Sequence, residues 1–420
     1  MFQIPGIFRS IRNRNYRLYF LGQTISLLGS WLQSVAQTWL VYRLTGSSVQ
    51  LGLIVFVGQA PVLFLAPLGG LLADRYHRRT VVLCTQCILM VLALSLGALT
   101  LNGKPRIWEI LLFGGLAGIV SAIDVPARQA LVSEMVAPAD LVNAVALNSS
   151  MFNNASTLSP LIAGFLVATV GEGWCFVING ATYLAVIAGL CLMRMEEHPS
   201  SLGLKSAFLS IREGFHYVHD TAPVRRILVV LAVVSLLGAP FTVLMPVFAN
   251  QILHAGPRGL GLLMSANGVG SFVGSLLLAS RKGLYGLGHW IMFGAAGFGF
   301  SLILFSSSRS LCFSLFLLAA AGFCMFYEIT ASNTLIQAMS PEAMRGRAIA
   351  ILSMLILGIA PFGSLMAGLL AERFGASLTV MLGGLACLAG AVACSMNLPA
   401  LTVQGRHLIV ANFLPAGIPK

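Results

Sequence analysis

The chain has 420 residues, of which 57% are hydrophobic and 9% charged, with a mean hydropathy of +0.89 and a formal net charge of +12. A soluble globular chain carries about 25% charged residues, so this composition excludes an ordinary soluble domain and describes a multi-pass membrane protein. The positive balance is accounted for by membrane topology and anionic lipid headgroups, without a nucleic-acid partner.

Apolar runs of the ~17 to 25 residues needed to cross a bilayer recur along the whole sequence, over about 17–42, 49–73, 80–101, 107–134, 141–170, 173–193, 225–252, 258–280, 287–306, 310–338, 345–371 and 376–397. The expected fold is all-α, with twelve transmembrane helices in two pseudo-symmetric six-helix bundles. These bundles cover 1–193 and 225–397, joined by a cytoplasmic linker over 194–224 and followed by a cytoplasmic tail over 398–420. With the N-terminus inside, nineteen Lys and Arg residues fall on the cytoplasmic side and six outside. Positive residues concentrate on the cytoplasmic side of a membrane protein, so both termini are expected there. The first apolar run is too long for a signal peptide and lacks a small-residue cleavage site, so it is read as helix 1.

Helix 1 carries Gln23, Ser26, Ser30, Gln33 and Gln37 at spacings of 3, 4, 3 and 4, which places them on one helical face. Such a stripe either lines a water-filled cavity or bonds neighbouring helices. Trp31, beside Ser30, either adds an aromatic wall or faces lipid. Between helices 2 and 3 runs Asp74-Arg75-Tyr76-His77-Arg78-Arg79. Charges at such a boundary can be solvated or bind headgroups, which is the reading for Arg75 and Arg79. The eight cysteines all fall inside predicted spans as small apolar residues, and Cys84-x-x-Cys87 lacks the second ligand pair that a metal site needs.

Helix 4 contains Asp124, Pro126 and Arg128 in an otherwise apolar stretch. The acid and the base lie four apart, on one face. A lone charge in hydrocarbon costs at least ~2.5 to 3.5 kcal/mol, so each needs a partner, within the helix or across to Arg78. Pro126 removes a backbone hydrogen bond and bends the helix. Three roles stay open for Asp124: a gate charge, a proton carrier or one half of a static pair. Helix 5 offers Ser149, Asn153 and Ser156, helix 8 offers Asn267, Ser271 and Ser275, and helix 10 offers Asn333 and Gln337. The cavity candidates are Gln23, Ser30, Gln33, Gln37, Asn153 and Asn333.

Internal repetition supports a duplicated six-helix unit. Ser26-Leu27-Leu28-Gly29 recurs as Ser235-Leu236-Leu237-Gly238, and Leu51-Gly52-Leu53 as Leu260-Gly261-Leu262, both at an offset of 209. At an offset of 204, Glu328 on helix 10 takes the place of Asp124 while Ser332 replaces Arg128. Glu328 must then turn to Arg345, Arg347, Arg281 or Lys282, or stay without a cation. A carboxylate in that position is the preferred proton-coupling candidate, with Asp124 the second; the alternative is a salt bridge at the end of helix 10.

Gly70 to Arg79 resembles the G-x-x-x-D-R-x-G-R-R signature of the major facilitator superfamily, with His77 where the signature has glycine. Arg12 to Phe20, Asp124 to Gln129 and Pro341 to Arg347 resemble the bacterial branch of enterobactin exporters and macrolide efflux proteins. The resemblance implies that Asp74 and Arg78 hold the two halves together on the cytoplasmic side, the motif arginine pairing with an acid on helix 4. An inner-gate charge cluster of Asp74, Arg78, Asp124 and Arg128 follows. Ser159 to Gly164 is similar to the superfamily's proline-glycine exporter motif, which implies efflux.

Energy sources and chemistries are limited by what the sequence lacks. It has no G-x-x-x-x-G-K-[ST] phosphate loop, no Ser/His/Asp constellation and no metal site, and the seven histidines are read as lying in loops or tails. No cofactor and no enzyme activity are expected. The reading is a monomeric secondary exporter in a bacterial inner membrane, driven by the proton gradient through alternating access. Its substrate is a small amphiphilic molecule such as a siderophore, the alternatives being a multidrug or macrolide pump, a lipid translocator or a non-transporting sensor.

Overall fold

The computed structural model describes residues 6–103, 105–194, 213–281, 283 and 286–395, apart from the side chains of 6–8, 73, 74, 279 and 343. The expected tail over 398–420 and most of the expected linker over 194–224 lie outside the described residues, as does the side chain of Asp74.

The described chain is helical throughout. We number its long helices α1 (Arg14–Thr45), α2 (Ser48–Arg75), α3 (Arg78–Leu101), α4 (Ile107–Met135), α5 (Leu141–Thr169), α6 (Glu172–Leu192), α7 (Ala222–Ile252), α8 (Gly256–Ala279), α9 (Leu287–Ser307), α10 (Leu311–Met339), α11 (Met344–Phe374) and α12 (Ala376–Ser395). Among the described residues, eleven helices are long and apolar enough to cross a membrane. The remaining long helix, α1, spans 32 residues but carries the glutamine and serine stripe, which lowers its apolar content. Large apolar side chains such as Phe64, Phe165, Phe293 and Phe316 stand exposed on the helix exteriors. In a bilayer that exterior meets acyl chains, so the molecule is a multi-pass membrane protein.

Local chemistry sets the helix ends. The Asn13 side chain accepts from the Asn15 N–H, and Ser47 accepts from the Gln50 N–H, capping α1 and α2. Gly46 closes α1 with a φ of 64° and returns its N–H to the Tyr42 carbonyl. Glu109 Oε2 accepts the Arg106 N–H at 2.7 Å at the start of α4. Two helices are not uniformly α. α7 contains π segments at Val234–Gly238 and Phe248–Ile252 around a 3-10 stretch at Ala239–Leu244, and α11 contains a π segment at Met354–Gly358. Pro240 and Pro361 follow two of these segments, consistent with backbone that cannot close regular i to i−4 bonds.

Two compact units form, one from Met1–Gly203 with Pro246–Ser265 and the other from Leu204–Met245 with Ala266–Lys420. In the first, α1 packs along α5 and α6, α2 along α4, and α3 along α4 and α6. At one end of it Tyr16, Tyr19, Val82, Leu131, Tyr183 and Leu190 form a buried cluster from α1, α3, α4 and α6, beside the charges of α4. In the second, α9 packs along α10 and α12, and α11 along α7 and α12.

Candidate functional site

Asp124 sits inside the first unit and is 3% exposed. α3 supplies two donors to one of its oxygens: Thr85 Oγ1 donates to Oδ1 at 2.7 Å and Gln86 Nε2 donates to the same atom at 2.9 Å. Arg128, one turn along α4, places Nε 3.2 Å from Oδ2. Hydrogen bonds to a charged group each contribute about 1.5 to 3 kcal/mol, so this set offsets much of the cost of a carboxylate in the hydrocarbon. Thr85 and Gln86 were missed from sequence. The available signal was two adjacent polar residues in an otherwise oily helix, and only packing shows which neighbour they serve.

Of the expected cluster of Asp74, Arg78, Asp124 and Arg128, the side chain of Asp74 lies outside the described residues. Asp124 and Arg128 are joined, whereas Arg78 Nη1 donates to Glu134 Oε1 at 2.7 Å, near the end of α4. Glu134 is an acid on helix 4, but ten residues beyond Asp124, and sequence reasoning did not single it out. Arg79, expected to be solvated or lipid-bound, also has protein partners in the structure. Its Nε donates to the Leu190 carbonyl at 2.8 Å and Nη2 to the Cys191 carbonyl at 3.1 Å, covering carbonyls that the last turn of α6 leaves without helical partners. Arg75 lies with its guanidinium 6.0 Å from the Tyr76 ring centre.

The polar stripe of α1 splits by depth. Ser30, Gln33 and Gln37 line a recess of about 270 Å³ between α1, α2 and α4, together with Ser34, Thr38, Gln59 and Ser121. The recess carries amides and hydroxyls but no ionisable side chain. Asn179 on α6 fixes one wall by donating from Nδ2 to Gln33 Oε1 at 2.6 Å, and Ser30 Oγ lies 3.4 Å from the Tyr183 hydroxyl. Gln23 is 2% exposed, and its Oε1 has no hydrogen-bond partner among the described residues; it is not part of the recess lining. Trp31 packs edge-on against Phe152 of α5 at 5.6 Å. Asn153 on α5 stands apart from the lining, and its carbonyl accepts from Ser156 and Thr157. Asn333, in the second unit, accepts from Gln337 Nε2 at 2.9 Å.

Glu328 on α10 is fully buried, and neither carboxylate oxygen has a hydrogen-bond partner among the described residues. The neighbouring Ser332 hydroxyl is likewise buried without one. The cations named for Glu328 are engaged elsewhere: Arg281 Nη1 donates to the Tyr327 hydroxyl at 3.2 Å, Arg345 Nε donates to the Gln337 carbonyl at 3.2 Å, and Arg347 bridges to Glu213. Lys282 lies outside the described residues. Three histidines depart from their expected places, because His216 and His219 lie in a helix over 213–220 and His289 stands in the first turn of α9. Among the described residues, no group of His, Cys, Asp and Glu could hold a metal.

One further contact bears on movement. Gly164 of α5 meets the start of α8 so closely that a Cβ there would lie 2.7 Å from the Pro257 carbonyl oxygen and 2.8 Å from the Gly261 Cα. This is the glycine of the Ser159 to Gly164 run, and its partner is backbone.

Comparison with known proteins covers nearly the whole chain. It is 23% identical over 381 residues to the staphyloferrin A transporter of Staphylococcus aureus (strain NCTC 8325 / PS 47), covering 88% of this chain and 92% of the relative. It is 26% identical over 335 residues to the enterobactin exporter EntS of Shigella flexneri, covering 79% of each. Among solved structures, a bacterial homologue of the human lysosomal transporter Spinster, inward-facing and unoccupied, superposes with a TM-score of 0.65 at 16% identity over 99% of this chain and 100% of that one. A POT family transporter in complex with 5-aminolevulinic acid gives 0.74 at 11% identity over 93% and 97%. At these identities the structural likeness establishes the fold. The family model described as transmembrane secretion effector, MFS_3, matches residues 6–412, and the chain therefore belongs to that family of membrane transporters within the major facilitator superfamily.

Proposed function

We propose that this chain is a secondary exporter that moves a siderophore-like metabolite out across a bacterial inner membrane by alternating access. The observation that carries the reading is the uncharged, amide-rich recess of α1, α2 and α4 in a chain related over most of its length to a staphyloferrin A transporter and an enterobactin exporter. Siderophores are studded with oxygen donors, and Gln33, Gln37 and Gln59 can present amide N–H groups to such oxygens without the desolvation cost of a buried cation.

In this reading α1 completes a set of twelve spanning helices, arranged as bundles over 1–193 and 225–397 with both termini cytoplasmic. Two features support the repeat: α3 pairs with α4 and α6 in one unit as α9 pairs with α10 and α12 in the other, and the sequence matches recur at one offset. The protein works as a monomer. Glu328 takes up and releases the coupling proton, since a buried carboxylate without partners can be relieved by protonation. Asp124, with Arg128, Thr85 and Gln86, forms a charge cluster at the inner end of α4, and Asp74 and Arg78 act beside it as the gate.

The test is untargeted mass spectrometry of culture medium from cells lacking the protein and from complemented cells, with iron scarce and iron plentiful. Loss of one iron-chelating compound, restored by the wild type, supports metabolite export. An unchanged profile together with increased sensitivity to amphiphilic drugs moves the reading to multidrug efflux.

A further inference from the structure

The second unit holds a cavity of about 320 Å³ between the end of α8, the start of α9 and the middle of α10. The residues lining it carry one charge, on Arg281. That guanidinium is held on an aromatic floor: Nη1 donates to the Tyr327 hydroxyl at 3.2 Å, and the group lies 5.4 Å from the centre of the Trp290 ring. Trp290 and Tyr327 are themselves paired at 5.8 Å, and Tyr327 stacks on Phe323 at 5.9 Å. The cation–π contact and the hydroxyl orient the guanidinium toward the cavity that it lines.

Depth and exposure define what fits. Arg281 follows the last turn of α8, and Trp290 is in the first turns of α9, which puts both at a membrane–water boundary, where tryptophan and arginine are favoured. From there the cavity runs along Phe293 and Leu277, which are 67% and 55% exposed on the face that meets acyl chains. The site thus has a cationic end at headgroup level and an apolar end in the hydrocarbon. We propose that this pocket binds an anionic phospholipid, its phosphate held by Arg281 and its acyl chain lying over Phe293 and Leu277. Arginine suits the role because its planar fork engages phosphate oxygens in pairs. The inner wall of the pocket includes Gly294, at which a Cβ would lie 3.1 Å from the Cβ of Glu328, so a bound lipid would cover the outside of the helix pair that encloses that carboxylate. The proposal holds whatever the exported compound is.

Native mass spectrometry of the purified full-length protein, titrated with phosphatidylglycerol or phosphatidylethanolamine, tests it. The wild type should bind the first phosphatidylglycerol about fivefold more tightly than phosphatidylethanolamine, the ratio expected of one interfacial arginine. Arg281→Gln should lose that preference and Arg281→Lys should keep part of it. Equal affinities for the two lipids in the wild type, or an undiminished preference in Arg281→Gln, would overturn the site. Should Arg281→Gln fail to fold, brominated phosphatidylglycerol added to the wild type decides the matter. Quenching of Trp290, read as the difference from Trp290→Phe, should exceed that by brominated phosphatidylethanolamine, and equal quenching by the two lipids would count against the proposal.

Discussion

Arg128 Nε lies 3.2 Å from Asp124 Oδ2, on the carboxylate oxygen opposite the one that Thr85 and Gln86 hold. A single buried acid thereby ties α3 to α4 and satisfies the one cation within its reach on the same helix. In the second unit Glu328, at the corresponding place in the sequence, has Ser332 where Asp124 has Arg128, and its oxygens have no hydrogen-bond donor among the described residues. In the proposed function the two carboxylates do different work, Asp124 in the charge cluster of α4 and Glu328 in changing charge.

Replacing Asp124 by Asn keeps the shape but leaves Arg128 buried without its counter-charge. Breaking a buried pair from one side costs about 3 to 5 kcal/mol. We expect Asp124→Asn to lower the unfolding temperature in detergent and to cut transport at least tenfold. Asp124→Asn combined with Arg128→Gln should recover part of the lost stability, the non-additivity that marks a direct pair. Additive losses in the double variant would show that the pair is not coupled.

Glu328→Gln should behave in the opposite way. An amide costs less to bury than a carboxylate, so the variant should be at least as stable as the wild type. Transport driven by an imposed pH gradient should fall at least tenfold, while exchange of labelled for unlabelled substrate at equal pH persists. Retention of the pH-driven component in Glu328→Gln would move proton coupling to another residue.

Much of the fold was readable from apolar run length. The run over 107–134 became Ile107–Met135 and the run over 141–170 became Leu141–Thr169, because hydrocarbon thickness fixes helix length and leaves little choice of boundary. The interrupted backbone of α7 and α11 was only partly readable: Pro240 and Pro361 mark two of the irregular stretches, but which turn widens into a π segment depends on how the helix packs. At the site, Asp124 and Arg128 declared their pairing through spacing alone. The partners Thr85, Gln86 and Glu134 did not, because contacts between helices depend on rotation about the helix axis. Arg79 shows the same limit: its basic character placed it at a membrane boundary, but only the structure reveals the end of α6 beneath it.

Gly164 offers a test of close packing. Gly164→Ala forces a methyl group onto the backbone of Pro257 and Gly261, where nothing flexible can move aside. We expect a loss of about 1 to 3 kcal/mol, as for other overpacked positions, and reduced transport. Gly288→Ala, where a Cβ meets nothing within 4 Å, serves as the control and should transport as the wild type does.

The recess predicts a polar requirement without a charge requirement. Gln37→Leu keeps the approximate volume and removes the amide, so the apparent affinity for the exported compound should weaken by about 1 kcal/mol, the net worth of a hydrogen bond. Gln37→Glu should weaken it further if the compound presents oxygen acceptors, because the side chain loses its donors. Equal affinities across the series, measured by competition in membrane vesicles, would place the binding site elsewhere.

The most direct measurement uses everted membrane vesicles from cells expressing the protein, supplied with the compound that the mutant medium lacks. When respiration makes the lumen acidic, vesicles with the wild type should accumulate the compound and release it once an ionophore collapses the pH gradient. Vesicles with Glu328→Gln should accumulate none above background. Accumulation that survives collapse of the gradient, or that Glu328→Gln supports as well as the wild type, would contradict proton-coupled export through Glu328.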